Sequence, residues 1–286
     1  MPVPSASWGR RLLTWVRAHK MRTAALLLIA IVAAEAATIP FGAIVRLRTE
    51  NPAESALMRQ RFHEAEDAGK PFRIVQRWIP LAQIPRHVVD AVIVAEDGTF
   101  FTHGGVDWFE VQESIEKNIE ERRAARGAST ITQQLAKNLF LSTSKDPIRK
   151  VKELAITLLL EHTLSKNRIL ELYLNVIEWG RGIFGIEAAA RAYFGKSASA
   201  LTLEEATRLA AVIPSPLVHR PDEESRYVTR RSMIVTRRMA ARNMIPTAVD
   251  TGVIPPPDTT ETGDADTIAP PPADTTRSEQ GEDHGL

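Results

Sequence analysis

Residues 23 to 45 read TAALLLIAIVAAEAATIPFGAIV, and no other stretch constrains the chain as sharply. A helix of that length covers the roughly 30 Å of a bilayer's hydrocarbon core, so one membrane-spanning anchor is predicted. Two residues run against it. Glu35 lies inside the span, where an acid costs about 2.5 to 3.5 kcal/mol on insertion scales, and Pro40 interrupts helical hydrogen bonding. A cleaved leader is the alternative, but the run is longer than a usual leader core and no small-residue cleavage site ends it. Arg10, Arg11, Arg17, Lys20 and Arg22 precede the span, against Arg46 and Arg48 after it. That bias predicts an amino terminus in the cytoplasm and everything beyond Arg46 outside.

The net charge of +1 averages two unlike regions. After Thr247 nine acidic residues face Arg277 alone, in a Pro- and Thr-rich stretch without aromatics that is too polar to order itself by burial. The remainder is basic and favours an anionic partner, whether membrane surface, lipid phosphate or nucleic acid. Cysteine is absent, which excludes disulfides and thiolate chemistry. The expected organisation is a cytoplasmic basic segment (1–22), the anchor (23–45), one globular domain (46–246) and a disordered acidic tail (247–286).

Within the domain the patterning is largely helical. Asp146 and Pro147 form an N-cap and first-turn pair opening RKVKELAITLLLEHTL, Ser165 caps KNRILELYLNVIEW, and Thr202 with Glu205 forms a capping box before ATRLAAVI. FRIVQRWI is β-rich and suits local pairing, but no βαβ alternation occurs, so the expected class is mainly α.

Five segments carry residues suited to chemistry. In AVIVAEDGTFFTHGG an apolar run delivers Glu96 and Asp97 into a glycine-containing turn. A partly desolvated carboxylate there gains proton affinity and suits general-base work, the alternative being that one of the two caps the next element. His103 reads as a structural hydrogen-bonder of the turn. In GASTITQQLAKNLFL, Thr130 and Gln133 match a capping box. Thr130, Gln134 and Lys137 then form a polar stripe opposite Ile131, Leu135 and Leu139, either a solvated face or a surface for sugar hydroxyls and phosphate. Arg149 and Lys150 occupy a first helical turn, where backbone N–H groups already attract anions, and Glu153 follows at ion-pair spacing. Glu171, Asn175 and Glu178 form a narrow polar stripe on a largely apolar helix, read as lining a cleft. Gly180, Gly182 and Gly185 surround Arg181, either an anion-binding loop or a tight turn.

Taken in order, EDGTFFTHGG, GASTITQQLAKNLFL, RKVKE, KNRILELYLN and RGIFGIEAAARAYFGK resemble the five motifs of the peptidoglycan glycosyltransferase family, over roughly Trp78 to Pro221. Ala128 stands where a second glycine is expected. The resemblance implies a mainly α, lysozyme-like glycosyltransferase domain with a smaller membrane-proximal lobe, preceded by one transmembrane helix. It implies Glu96 as base, Lys137 and Arg149 on the donor diphosphate, and Glu153 assisting near the leaving group or a divalent cation. Gln133, Gln134, Lys150, Lys166, Asn175 and Arg181 are implied as further substrate-binding residues.

The implied reaction polymerises lipid II into β-1,4-linked glycan with inversion, releasing polyprenyl diphosphate. No cofactor is obligatory, Mg or Mn at the substrate diphosphate being the one metal considered, and no protein metal site is expected. The implied partners are lipid II, the growing glycan chain, the bilayer of the bacterial inner membrane, penicillin-binding transpeptidases and division or elongation proteins, with the catalytic domain periplasmic. Nucleic acid is not expected, since no aromatic–basic interleaving is present. Ser142 to Lys145 spells S-x-x-K, but without a K-T-G or S-D-N partner it is read as accidental. Two other readings stay open: a lysozyme-like lytic hydrolase, which needs the cation cluster less, and a non-catalytic scaffold.

Overall fold

The computed structural model describes residues 19–121, 129–141, 143 and 146–244. The expected acidic tail (247–286) and nearly all of the basic segment (1–22) lie outside the described residues. Eleven α-helices are described: α1 (Lys20–Ala37), α2 (Phe41–Arg46), α3 (Ala56–Asp67), α4 (Arg86–Glu96), α5 (Trp108–Glu121), α6 (Ile131–Phe140), α7 (Pro147–Thr163), α8 (Lys166–Val176), α9 (Ile186–Phe194), α10 (Leu203–Val212) and α11 (Arg226–Ala241). Three short strands, β1 (Val75–Gln76), β2 (Glu178–Gly180) and β3 (Ile183–Phe184), and two single-turn 3-10 helices (Leu81–Gln83 and Ala198–Ala200) are also described. The central β3 pairs parallel with β1 and antiparallel with β2. The mainly α expectation holds, and the β-rich FRIVQRWI run supplies β1.

The helix starts follow the caps written in the sequence. Thr130 and Thr202 close reciprocal capping boxes with Gln133 and Glu205, while Asp146 and Ser165 accept the backbone N–H groups of Ile148 and Arg168. Each satisfies donors that the first helical turn would otherwise leave unpaired. The main apolar core joins Val88, Ala91 and Val92 of α4, Ile131 and Leu135 of α6, Leu160 of α7, and Ile169, Leu172 and Tyr173 of α8. On its far side α10 packs against α4 and α11.

The expected single span is broken. Its helix ends at Ala37, and α2 starts after Pro40 with Ile44 fully buried in the domain core. A proline disfavours helical geometry in the residue before it, which accounts for the break at Ile39. Among the described residues no helix is long and apolar enough to cross a membrane. The 18 residues of α1 rise about 27 Å and include Lys20, Arg22 and Glu35. Glu35 forms an ion pair with Lys152 of α7.

The polar stripe on α8 also differs from expectation. Asn175 is fully buried, and its amide accepts from the backbone N–H of Ile79 at 2.9 Å and donates to the carbonyls of Ile79 (2.9 Å) and Glu171 (2.8 Å). Glu171 accepts from Leu81 N at 2.9 Å and pairs with Arg168. These side chains fasten the segment after β1 to α8 instead of facing a cleft. Behind them, Gly182 has φ +75°, and a Cβ there would lie 2.3 Å from the Arg73 carbonyl oxygen. Only glycine allows β1 and the β2–β3 turn to come so close. Replacing Asn175 with Ala strips partners from buried backbone groups and is expected to cost about 2 to 4 kcal/mol, read from denaturant unfolding of the full chain.

Candidate active site

The site begins where α4 ends. Asp97 leaves the helix with extended backbone (φ −162°), and its carboxylate accepts from Ile131 N at 2.9 Å, the first residue of α6. Its other oxygen accepts from His103 Nε2 at 2.9 Å, and His103 Nδ1 accepts from Gly105 N. Asp97 is therefore the capping carboxylate and His103 the structural histidine of the turn. Together they bring the carboxyl end of α4 against the amino end of α6, which leaves Glu96 facing the next turn of α6.

Gln134 stands there. Its Nε2 donates to Glu96 Oε2 at 2.8 Å, and its Oε1 accepts from the Tyr173 hydroxyl of α8 at 2.9 Å. Burial and the nearby Glu96 and Asp97 carboxylates push the Tyr173 hydroxyl well above its ordinary pKa, so it remains a donor. The chain Tyr173–Gln134–Glu96 thus fixes one carboxylate oxygen, while Oε1 is buried without a hydrogen-bond partner. Burial raises the pKa of Glu96, opposed by the Gln134 hydrogen bond and by the charges of Arg231 and Lys137, with Asp97 adding a smaller rise. A carboxylate desolvated in this way is a stronger base than a glutamate in water.

One turn beyond Gln134, Lys137 connects this carboxylate with α7. Its pKa is lowered, first by burial; Glu153 raises it, Arg149 and Lys150 lower it, and Glu96 raises it. Glu96, Lys137, Arg149, Lys150 and Glu153 therefore act within one electrostatic neighbourhood. Glu153 is buried and takes Arg149 Nη1 on one oxygen at 2.8 Å and Lys150 Nζ on the other. The anticipated helical ion pair is thus present, and it serves to hold two cations beside a third. Three cations around one carboxylate leave a net positive charge suited to an anion with several oxygens. Each Glu153 oxygen thus carries one cation. Among the described residues no group of three or more His, Cys, Asp or Glu is placed to hold a metal ion.

Other expected site residues lie elsewhere or are committed. Gln133 is buried in the capping box of α6. Lys166 pairs with Glu161 at 2.8 Å and lies 4.5 Å from the centroid of the Phe100 ring. Arg181 is exposed on the turn between β2 and β3. Two residues were not foreseen. Tyr173 of α8 is one, and it also packs in the core. Arg231 of α11 comes within 3.8 Å of Glu96 Oε1 through its Nη2. A signal for it existed: Val228, Ser232, Val235 and Met239 recur at helical spacing behind the Ser225 cap, and Arg231 borders that buried face.

A helical domain with one desolvated carboxylate beside clustered cations has the parts of an enzyme that activates a hydroxyl and stabilises an anionic leaving group. Residues 66–240 match the family model described as Transglycosylase, and the chain belongs to that family of glycosyltransferase enzymes. It is 45% identical over 204 residues to the biosynthetic peptidoglycan transglycosylase of Nitrosospira multiformis, covering 71% of this chain and 89% of that one. It is 46% identical over 189 residues to the protein of the same name from Methylobacillus flagellatus (66% and 82% covered) and 48% over 176 residues to that of Azoarcus sp. (62% and 76%).

The burial of Glu96 makes a stability prediction. Its folded pKa lies above that of the unfolded chain, so its contribution to stability is whole below the unfolded pKa and is lost as pH rises through the folded one. Glu96→Gln, which keeps the shape without the buried charge, is therefore expected to raise Tm at pH 8 by about 2 to 4 °C, the equivalent of roughly 1 kcal/mol in a domain of this size. The gain should vanish near pH 4, as followed by thermal unfolding at both pH values.

Proposed function

We propose that this transglycosylase polymerises lipid II into the β-1,4-linked glycan strands of peptidoglycan, with Glu96 as general base. What carries this reading is the arrangement of a buried Glu96 held by Gln134, a Lys137 one turn beyond Gln134 that acts on Glu96, and the Arg149–Glu153–Lys150 ion pairs that act on Lys137 in turn. The names of the relatives point to the same polymer.

In the proposed step Glu96 removes the proton from the 4-hydroxyl of the acceptor sugar. The freed oxygen forms a bond to the donor's anomeric carbon while the bond from that carbon to the diphosphate breaks. Lys137, Arg149 and Lys150 take up the negative charge that develops on the departing polyprenyl diphosphate, so no protonated acid is needed there. Glu153 acts through the two cations it holds in place. With base and leaving group on opposite faces of the sugar, displacement inverts the configuration, from an α-linked donor to a β-linked product. Gln134 aims the base, and a divalent cation carried by the diphosphate is compatible with the reaction without being obligatory.

The substrate's lipid explains the remaining surface. Ile148, Val151, Leu154 and Leu158 are exposed on α7, the helix whose first turn carries Arg149 and Lys150, and Phe41 and Val45 are exposed on α2. In the proposed topology the apolar amino-terminal segment, residues 23–45, anchors the chain in the bacterial inner membrane, the amino terminus is cytoplasmic and the catalytic domain is periplasmic. The Lys152–Glu35 ion pair then offsets part of the cost of an acid in the anchor. Lipid II and the growing glycan chain reach the site along the bilayer, and penicillin-binding transpeptidases and division or elongation proteins are the proposed protein partners.

Incubating the full chain with lipid-linked precursor, and separately with finished sacculi, tests the reading. Polymer from the first with no fragments from the second is expected; soluble fragments from sacculi alone would make the protein a lytic hydrolase. Glu96→Gln is expected to lower the polymerisation rate by at least about 100-fold while leaving precursor binding largely intact. Full activity in that variant would remove Glu96 from its role.

A further inference from the structure

Arg231 lies outside every motif that marks the site, yet α11 places it against the base. Two polar groups there are incompletely used: Glu96 Oε1 and Arg231 Nε are both buried without a hydrogen-bond partner. The guanidinium Nη2 stands 3.8 Å from Oε1, within ion-pair range but beyond a direct hydrogen bond. The position is fixed from both sides. Val228, Ser232, Val235 and Met239 bury one face of α11, Ser225 caps its start, and Arg242 Nη1 just past its end donates to the Gly98 carbonyl at 2.8 Å, two residues after Glu96.

We infer that Arg231 is a positioning residue that keeps Glu96 ionised during turnover and reserves Oε1 as the oxygen that accepts the proton. The inference rests on Glu96 being the base. Gln134 already holds Oε2, so Oε1 is the oxygen left for the acceptor hydroxyl. The charged or titratable groups that act on Glu96 are Asp97 at the end of its own helix, Lys137 on α6, Tyr173 on α8 and Arg231 on α11. Asp97 opposes ionisation and Tyr173 stays protonated, which leaves two cations in support. Lys137 also belongs to the cluster assigned to the diphosphate. Once that anion binds, its negative charge offsets the field of Lys137 at Glu96. Arg231 then remains as the supporting cation, at the moment when the base must be unprotonated.

The test is the pH dependence of kcat at saturating lipid-linked precursor, which reports the base in the substrate complex, in the full chain, comparing wild type, Arg231→Gln and Arg231→Lys, with Glu96→Gln as reference. Each variant is first shown to be folded at the assay temperature. Removing the cation should move the acid limb of Arg231→Gln to higher pH by about one unit, a roughly tenfold loss below the limb with little loss well above it. Arg231→Lys should keep its limb close to that of wild type. An unmoved limb, or a loss by the same factor at every pH, would overturn the role. Should Arg231→Gln not fold, Arg231→Lys decides alone: a near-native limb supports the inference, and a pH-independent loss overturns it. An active Glu96→Gln would instead sink the base assignment beneath it, whereas an inactive Glu96→Gln with an unmoved Arg231→Gln limb removes Arg231 only.

Discussion

The carboxylate of Asp97 holds the site together. By accepting the first backbone N–H of α6 with one oxygen and the His103 ring with the other, it joins the end of α4 to the start of α6. That junction is buried, where a hydrogen bond to an ionised group has more energy at stake than one in water. Everything specific to the chemistry follows from it. Glu96, one residue earlier, is turned towards Gln134, and Lys137 falls one helical turn further along the same face. A helix end thus becomes a means of aiming a neighbouring side chain.

Around that junction the domain arranges charge with economy. Glu96 is desolvated, which strengthens it as a base but threatens to protonate it at the working pH. Cations on two helices counter this, Lys137 from α6 and Arg231 from α11. On α7 the opposite problem arises, because Arg149 and Lys150 share a single turn and repel each other. Glu153 resolves it by taking one cation on each oxygen. The result is a positive cluster held in place before any anion arrives; in the proposed reaction, that is the condition under which electrostatic stabilisation contributes most to catalysis.

Local rules made much of this legible in the sequence. Thr130, Asp146, Ser165 and Thr202 cap the helices they announce because capping depends on three or four consecutive residues. The Arg149–Glu153 spacing foretold the ion pair for the same reason. Long-range packing was not legible. Asn175 looked like a cleft residue, yet its amide is consumed by a backbone segment about a hundred positions earlier. Arg231 was missed because it meets Glu96 only once α11 packs onto α4. Hydropathy grouped residues 23 to 45 into one apolar run, whereas the helix ends at Ala37 and Ile44 packs in the domain core.

A co-crystal of the full chain with a non-reactive donor diphosphate and an acceptor disaccharide would test the central arrangement most directly. The diphosphate should contact Lys137, Arg149 and Lys150, with the acceptor 4-hydroxyl about 2.6 to 3.2 Å from Glu96 Oε1. A diphosphate seated away from those cations, or an acceptor hydroxyl out of reach of Glu96, would contradict it.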